Sequence, residues 1–419
     1  MTPPTLSSPF TSTLIAKALA RPGDDPIFSL NAEAKARTAA GHSVVNATLG
    51  ALMEDDGRLA VMPVVSEAIA AVPAEKAAAY APIAGDAPYL RAVIGDLFGS
   101  AGKGMMASCT AAATPGGTGA LHMALMNFLE PGQSMLVPSF YWGPYRTLAD
   151  HTSRGIETYS MFTSAGRFDV QAFEKALERQ LREQGRALCV FNFPCNNPTG
   201  YSLDDAEWGA VADVVERYAA HSPVIPLIDY AYAAFGAPGS ETWIRHAERM
   251  SRSTTVLVAW TVSKSFAQYG ARVGALVAAT ADDDERERLK NAFGFACRGT
   301  WSNCNHAGLL AITELLSKPE LSERVLRERA RLRSILDRRV AVFNDASSRH
   351  GFRYPRYEGG FFVSVFAERA QEVAAHMRDQ ANVFVVPIDG AVRLALCSTP
   401  ERDIPKLVDA LAAALDARN

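Results

Sequence analysis

Residues 260–277 read W-T-V-S-K-S-F-A-Q-Y-G-A-R-V-G-A-L-V. The run V-L-V-A-W that leads in from Val256 has the length and branched content of a buried strand, and V-G-A-L-V after Arg272 has the same character. Between them Lys264 sits among Thr261, Ser263 and Ser265, at the mouth of a sheet with Arg272 close by. Burial and a neighbouring cation both lower a lysine pKa, which supplies the free amine that attacks carbonyls. A surface lysine at a strand end is the plain alternative, and this stretch alone leaves both open.

Upstream, other apolar runs also end in polar or aromatic residues. Q-S-M-L-V-P at 133–138 leads to Phe140, Tyr141, Trp142 and Tyr145, A-L-C-V-F-N-F at 187–193 leads to P-C-N-N-P-T-G, and the run at 224–229 leads into D-Y-A-Y. Strands that each deliver such residues at their carboxyl ends predict an open, mainly parallel α/β sheet, with the ligand site beyond those ends. The stretch T-A-A-A-T-P-G-G-T-G-A-L-H-M-A-L at 110–125 reads as a small-residue strand, a glycine turn and a helix. Gly116, Gly117 and Thr118 leave N–H groups bare at that helix start, where a phosphate is the natural guest. Tight packing of the turn is the alternative.

Length and composition bound the rest. A chain of 419 residues exceeds one ordinary core, so two domains are expected. A net charge of −3 carries no basic bias, which argues against nucleic acid and anionic membrane as partners. The six cysteines, at 109, 189, 195, 297, 304 and 397, form no C-x-x-C pair and no histidine-coupled spacing. That argues against a disulfide framework or structural zinc and points to a reducing cytoplasm. The N-terminus lacks a charged region followed by an apolar core, and no stretch approaches the roughly 18 apolar residues of a membrane span.

At the flanks, residues 1–26 are rich in Pro, Ser and Thr and read as an arm that crosses to a partner subunit. A helix is expected from Ile27 to Ala40, a short strand from Val44 entering a loop at Gly50, and helices on either side of a turn that holds Tyr80. After Val277 a charged run starts a solvated helix, and F-G-F-A-C-R-G-T-W-S-N-C-N-H-A at 293–307 reads as an interface or the edge of a site. The long charged helix around R-V-L-R-E-R-A-R-L-R from Arg324 is expected to keep its cationic face in solvent. The last part is α+β, with strands at F-F-V-S-V-F from Phe361, N-V-F-V-V-P from Asn382 and V-R-L-A-L-C from Val392. Arg393 stands alone in an apolar strand, either paired to a buried acid or set to receive an anionic ligand. The expected division is an arm at 1–26, a small α+β domain from 27–60 and 318–419, and a large domain at 61–317.

A strand-end lysine, a phosphate-type turn, a strand-end Asp229 and an Asn197 turn together describe pyridoxal phosphate chemistry. There the lysine forms an imine, the glycine turn holds the phosphate, and a carboxylate keeps the pyridine nitrogen protonated. The chain resembles the aspartate and aromatic aminotransferase family of fold-type I pyridoxal phosphate enzymes. The resemblance runs in order through D-P-I-F-S-L at Asp25, Y-A-P-I-A-G, T-P-G-G-T-G-A-L, N-N-P-T-G, D-Y-A-Y, S-K-S-F-x-x-Y-x-x-R-V-G-A, R-G-T-W-S-N and V-R-L-A, nearly the whole chain.

The resemblance implies a large domain built on a mainly parallel seven-stranded sheet, with a smaller α+β domain. It makes Lys264 the imine lysine and proton-transfer base, Asp229 the partner of the pyridinium, and Asn197 and Tyr232 the hydrogen-bonding partners of the ring oxygen. Gly116, Gly117, Thr118, Thr261 and Arg272 would bind the phosphate, with Tyr80 reaching over from the second subunit of a homodimer. Arg393 would hold the substrate α-carboxylate by its planar fork, near Gly50 in the active-site loop. Arg298 falls where, from the other subunit, the family reads a side-chain carboxylate, although an interface role with a protein partner is the alternative.

Departures from the family's pattern lie in the T-L-G loop from Thr48, which lacks a second glycine, in R-G-T-W-S-N, and in the aromatic cluster. In that cluster Phe140 is the expected ring over the cofactor, Tyr141 or Trp142 taking its place if the turn shifts. The histidine that many relatives place behind the pyridinium aspartate is missing. The implied activity is a ping-pong transfer of an amino group from a dicarboxylic or aromatic L-amino acid to a 2-oxo acid such as 2-oxoglutarate. A β-decarboxylase or lyase would share every cofactor residue. A regulatory protein on this fold would carry an added DNA-binding domain, and the stretch before Asp25 is too short for one.

Overall fold

The computed structural model describes residues 12–23, 26–99 and 102–417. The first part of the expected arm, residues 1–11, and Asp25 lie outside the described residues. In chain order the strands are β1 (Val45–Asn46), β2 (Cys109–Thr114), β3 (Ser134–Pro138), β4 (Gly155–Tyr159), β5 (Ala187–Phe191), β6 (Val224–Asp229), β7 (Val256–Thr261), β8 (Gly274–Ala279), β9 (Phe362–Phe366), β10 (Val383–Phe384), β11 (Val386–Ile388) and β12 (Ala391–Ala395).

Seven strands form one sheet in the order β2-β8-β7-β6-β5-β3-β4. Within it β8 runs against both neighbours and the remaining pairs are parallel. Strands β5 to β8 are buried at every position, which is why they read as continuous apolar runs rather than alternating ones. Successive residues of β7 feed two separate cores. Val258 and Trp260 pack with Val93, Leu97 and Trp243 on one face, while Leu257 and Ala259 pack with Leu121, Ala124 and Phe293 on the other. Pairing of Asp229 with Ala259 brings the ends of β6 and β7 to the same sheet edge.

The flanking helices start where side chains satisfy their first N–H groups. Asp204 and Glu207 cap each other's backbone at the start of the helix Asp205–Ala219, and Asp282 accepts from the Glu285 N–H at 2.8 Å before Asp283–Gly299.

A second, antiparallel sheet has the order β11-β12-β9, and β1 pairs in parallel with β10. The run from Asn382, expected as one strand, is divided: Val383–Phe384 pairs with β1, and Val386–Ile388 pairs with β12. A stretch near the start of the chain is thereby tied to one near its end. The helix Pro319–Ser347 corrects a second expectation, because its cationic face is not all solvated. Arg339 is fully buried and donates to the carbonyls of Met53 (2.8 Å), Leu396 (3.2 Å) and Cys397 (2.7 Å) and to Asp55 Oδ1 (2.8 Å). Backbone carbonyls that end β12 and turn the loop at 53–55 need several donors from one point, which a guanidinium supplies. Among the described residues, no helix is long and apolar enough to cross a membrane.

Candidate active site

Strand β7 ends at Thr261, whose hydroxyl accepts from the Ser263 N–H at 3.2 Å and starts the single turn Val262–Ser265. That turn lifts Lys264 above the sheet edge. Its Nζ lies 5.6 Å from the centre of the Tyr232 ring and 5.3 Å from that of Tyr269. Desolvation lowers the pKa of Lys264 against the opposing pull of the Asp229 carboxylate, so the free amine is more accessible than in an ordinary lysine.

Asp229, the last residue of β6, is buried, and Tyr145 donates a hydrogen bond to its Oδ2 at 2.6 Å. Burial raises its pKa to about 6, with the Tyr145 hydroxyl and Lys264 acting in the other direction. Asn192, just past β5, donates to the Asp229 carbonyl at 3.0 Å and accepts the Asn197 N–H at 2.7 Å. Asn197 in turn donates to the Tyr232 hydroxyl at 3.2 Å. Neither Tyr145 nor Asn192 belongs to a motif that gives it a role in the sequence. The polar residue inside the apolar run F-N-F is the one visible signal for Asn192, whereas Tyr145 is one aromatic residue among several.

The opposite end of the cleft is built for an anion. The helix Gly116–Phe128 follows Pro115, which offers no side-chain cap, so its first N–H groups remain directed at the cleft. Arg272 donates through Nη2 to the Pro115 carbonyl at 3.2 Å and through Nη1 to the Tyr269 carbonyl at 2.9 Å and Ser263 Oγ at 3.4 Å. Gly116 has φ +75°, and a Cβ there would lie 2.5 Å from Arg272 Nη2, so both conformation and space demand glycine. Gly117, Thr118, Thr261 and Ser263 line the same cleft as Lys264, Asp229 and Tyr232.

At its border, buried Arg393 stacks its guanidinium 4.5 Å from the Phe362 ring centre and donates to the Thr48 carbonyl at 2.7 Å. The Phe362 ring meets Tyr232 edge-on at 5.8 Å, and a Cβ on Gly50 would lie 2.9 Å from Phe362 Cζ. The loop at 48–50, Arg393 and Tyr232 therefore share one aromatic neighbour.

Phe140, Tyr80 and Arg298 lie away from this cleft, the last two as expected of residues assigned to the site of a second subunit. The Phe140 ring packs on Phe162 and Phe366, at 6.0 and 5.7 Å between centres, and Trp142, the alternative in that cluster, lines the cleft. Backbone pairing continues past β3, with the Ser139 N–H donating to the Tyr159 carbonyl, so the chain reverses later than the placing of Phe140 required. Tyr80 is 89% exposed, and Arg298, at the last turn of its helix, donates to Ser302 Oγ at 2.8 Å.

A desolvated amine, a buried carboxylate and a phosphate-type cradle in one cleft fit pyridoxal phosphate by the chemistry of each donor. A family profile described as Aminotransferase class I and II matches residues 43–411. The chain belongs to this family. It is similar to an aromatic-amino-acid aminotransferase of Pseudomonas aeruginosa, with 29% identity over 71% of this chain and 73% of that protein. It is similar at the same identity to an aspartate aminotransferase of that organism, over 78% of this chain and 81% of the relative. A solved aminotransferase from Anaerococcus prevotii superposes with a TM-score of 0.92 at 31% identity, covering 97% of this chain and all of that one. The chain is thus a pyridoxal phosphate-dependent aminotransferase of fold type I.

Proposed function

We propose that this aminotransferase takes a dicarboxylic or aromatic L-amino acid as donor and 2-oxoglutarate as acceptor. The convergence of Lys264, Asp229 and the Gly116 turn with Arg272 carries the assignment of roles. In this reading Gly116, Gly117, Thr118, Thr261 and Arg272 hold the phosphate, Asp229 faces the pyridine nitrogen, Asn197 and Tyr232 face the ring oxygen, and Trp142 covers the ring. Pyridoxal phosphate, when bound, supplies a carbonyl that condenses with amines and a ring that accepts electrons. Lys264 Nζ moves the proton at the substrate Cα, a task suited to an amine whose pKa burial has lowered. Arg393 fixes the α-carboxylate, held in orientation by Thr48 and Phe362.

The reading includes a homodimer. Tyr80 and Arg298 are exposed on their own chain, as expected of residues that complete the site of a second copy. It also includes a division into 27–60 with 318–419 and 61–317, supported by the pairing of β1 with β10, and a cytoplasmic setting, supported by six free cysteines.

An amino-donor panel with 2-oxoglutarate, including aspartate, tyrosine, phenylalanine and ornithine, tests the substrate class. Turnover of aspartate or the aromatic donors is expected; turnover confined to ornithine rejects the class. In the same assay Lys264→Ala is expected to lose on the order of 10²–10⁴-fold in rate.

A further inference from the structure

Asp229 is buried at the carboxyl end of β6, yet no histidine is hydrogen-bonded to it among the described residues. Its carboxylate receives the Tyr145 hydroxyl at 2.6 Å and the Ala231 N–H, and Lys264 is the cation that acts on it. Tyr145 is itself fully enclosed. It lies in the first turn of the helix Pro144–His151, with Tyr141 stacked parallel at 6.3 Å and Trp142 edge-on at 5.6 Å. The Tyr145 N–H donates to the Trp142 carbonyl at 2.9 Å, so the residue that lines the cleft and the one that holds the carboxylate are fixed by the same turn.

We propose that Tyr145 is the positioning residue of Asp229: its hydroxyl fixes one carboxylate oxygen and, by donating a proton that it does not release, keeps the carboxylate anionic and oriented toward the cofactor nitrogen. The inference rests on the role given to Asp229 above. A neutral phenol is suited to this task. A hydrogen bond to the charged form of a carboxylate favours that form. Burial and the adjacent carboxylate push the Tyr145 hydroxyl well above its ordinary range, so it remains a donor while carboxylates and imidazoles titrate. A histidine in this place would change its own charge near neutrality. The other groups facing Asp229 are Lys264, whose pKa burial lowers, and Tyr232, whose hydroxyl burial keeps protonated. Asn192 fixes the backbone of Asp229 and cannot titrate.

The test is Tyr145→Phe, which keeps the ring and removes the donor, with Tyr145→His as the variant that restores one. Two measurements on the full chain separate positioning from packing. One is the titration of the Asp229 carboxyl before cofactor loading, followed by carbon-13 NMR of labelled aspartate with Asp229→Asn for assignment. The other is the dissociation constant for pyridoxal phosphate. A hydrogen bond to a charged group predicts about tenfold weaker cofactor binding in Tyr145→Phe, an upward shift of the carboxyl titration, a melting temperature before loading that falls more at pH 7, where Asp229 is ionised, than near pH 4, and partial recovery of affinity in Tyr145→His. An unmoved titration with unmoved affinity overturns the proposal. So does an equal loss of affinity and melting temperature in both variants, which marks the ring as packing alone. If wild-type protein bound no pyridoxal phosphate, the site assignment would fail, whereas the carboxyl titration would still test the Tyr145–Asp229 pair.

Discussion

Arg272 Nη2 lies 3.2 Å from the carbonyl of Pro115, across 157 residues of chain, and closes the anion end of the cleft between the glycine turn and the lysine-bearing stretch. The contact exists because Gly116 has no side chain. Arg272 itself adopts φ 54°, in the left-handed region, so both sides of the contact hold unusual backbone. Gly116→Ala meets a guanidinium nitrogen at 2.5 Å and a φ of +75°, and the strain is about 1–2 kcal/mol. A Cβ on Gly117 meets Thr261 only at ordinary contact distance, 3.5 Å. Gly116→Ala is therefore expected to lower both stability and affinity for pyridoxal phosphate, and Gly117→Ala to leave stability nearly unchanged. Thermal unfolding with cofactor titration of both variants checks the contrast, which equal losses would contradict.

Asp229 makes stability before cofactor loading pH-dependent with a defined sign. Its pKa in the fold is about 6, above the ordinary 3.8, so the folded chain holds this proton more tightly than the unfolded chain. Below 3.8 both states are protonated and the residue contributes no pH-dependent penalty. As pH rises from 3.8 through 6 the buried carboxylate ionises and the fold loses up to about 3 kcal/mol. The value of about 6 already includes the attraction to Lys264, so Asp229→Asn is expected to gain up to about 3 kcal/mol at pH 7 relative to pH 4. The gain should vanish near pH 4. Urea unfolding of both proteins from pH 4 to 8 checks this, and a difference that stays constant with pH would contradict it.

Much of this architecture is legible in the sequence, for reasons that particular elements make plain. β6, β7 and β8 are buried on both faces and read as unbroken apolar runs, and Lys264, Asp229 and the Gly116 turn stand where those runs or their neighbours end. β4 reads poorly because G-I-E-T-Y is only partly buried at the sheet edge, where periodicity fades. The sequence leaves open which ring of the cluster faces the cofactor, because four aromatic residues within six positions look alike until the backbone pairing of Ser139 fixes where the chain turns. Arg339 escaped because a charged residue on a charged helix carries no local sign of burial, and its carbonyl partners come from opposite ends of the chain.

Arg393 stacks its guanidinium on the Phe362 ring and donates to the Thr48 carbonyl, the arrangement from which the proposed grip on the α-carboxylate follows. A lysine reaches the same space with a point charge that cannot meet two carboxylate oxygens in parallel and lacks the flat face that stacks on Phe362. Arg393→Lys is expected to lower kcat/KM by roughly 10²-fold for every donor, because the α-carboxylate is common to all of them. Steady-state kinetics on aspartate and phenylalanine check it; a loss confined to one donor would contradict a role at the α-carboxylate.

Arg298 provides the opposite pattern. On its own chain it is exposed and donates to Ser302 Oγ, so its removal leaves no buried partner without a hydrogen bond, and the change in stability should stay within about 0.5 kcal/mol. If it reads the distal carboxylate in the site of a second copy, it discriminates between donors instead. Arg298→Ala should then lower kcat/KM for aspartate by roughly 10²-fold, the scale of a charge-assisted hydrogen bond, while phenylalanine changes by less than about threefold. Ser302→Ala, which frees the guanidinium from its local partner, should leave aspartate turnover within about threefold of wild type. Equal losses for both donors in Arg298→Ala would assign the residue to the subunit interface and remove the dicarboxylate reading of the site.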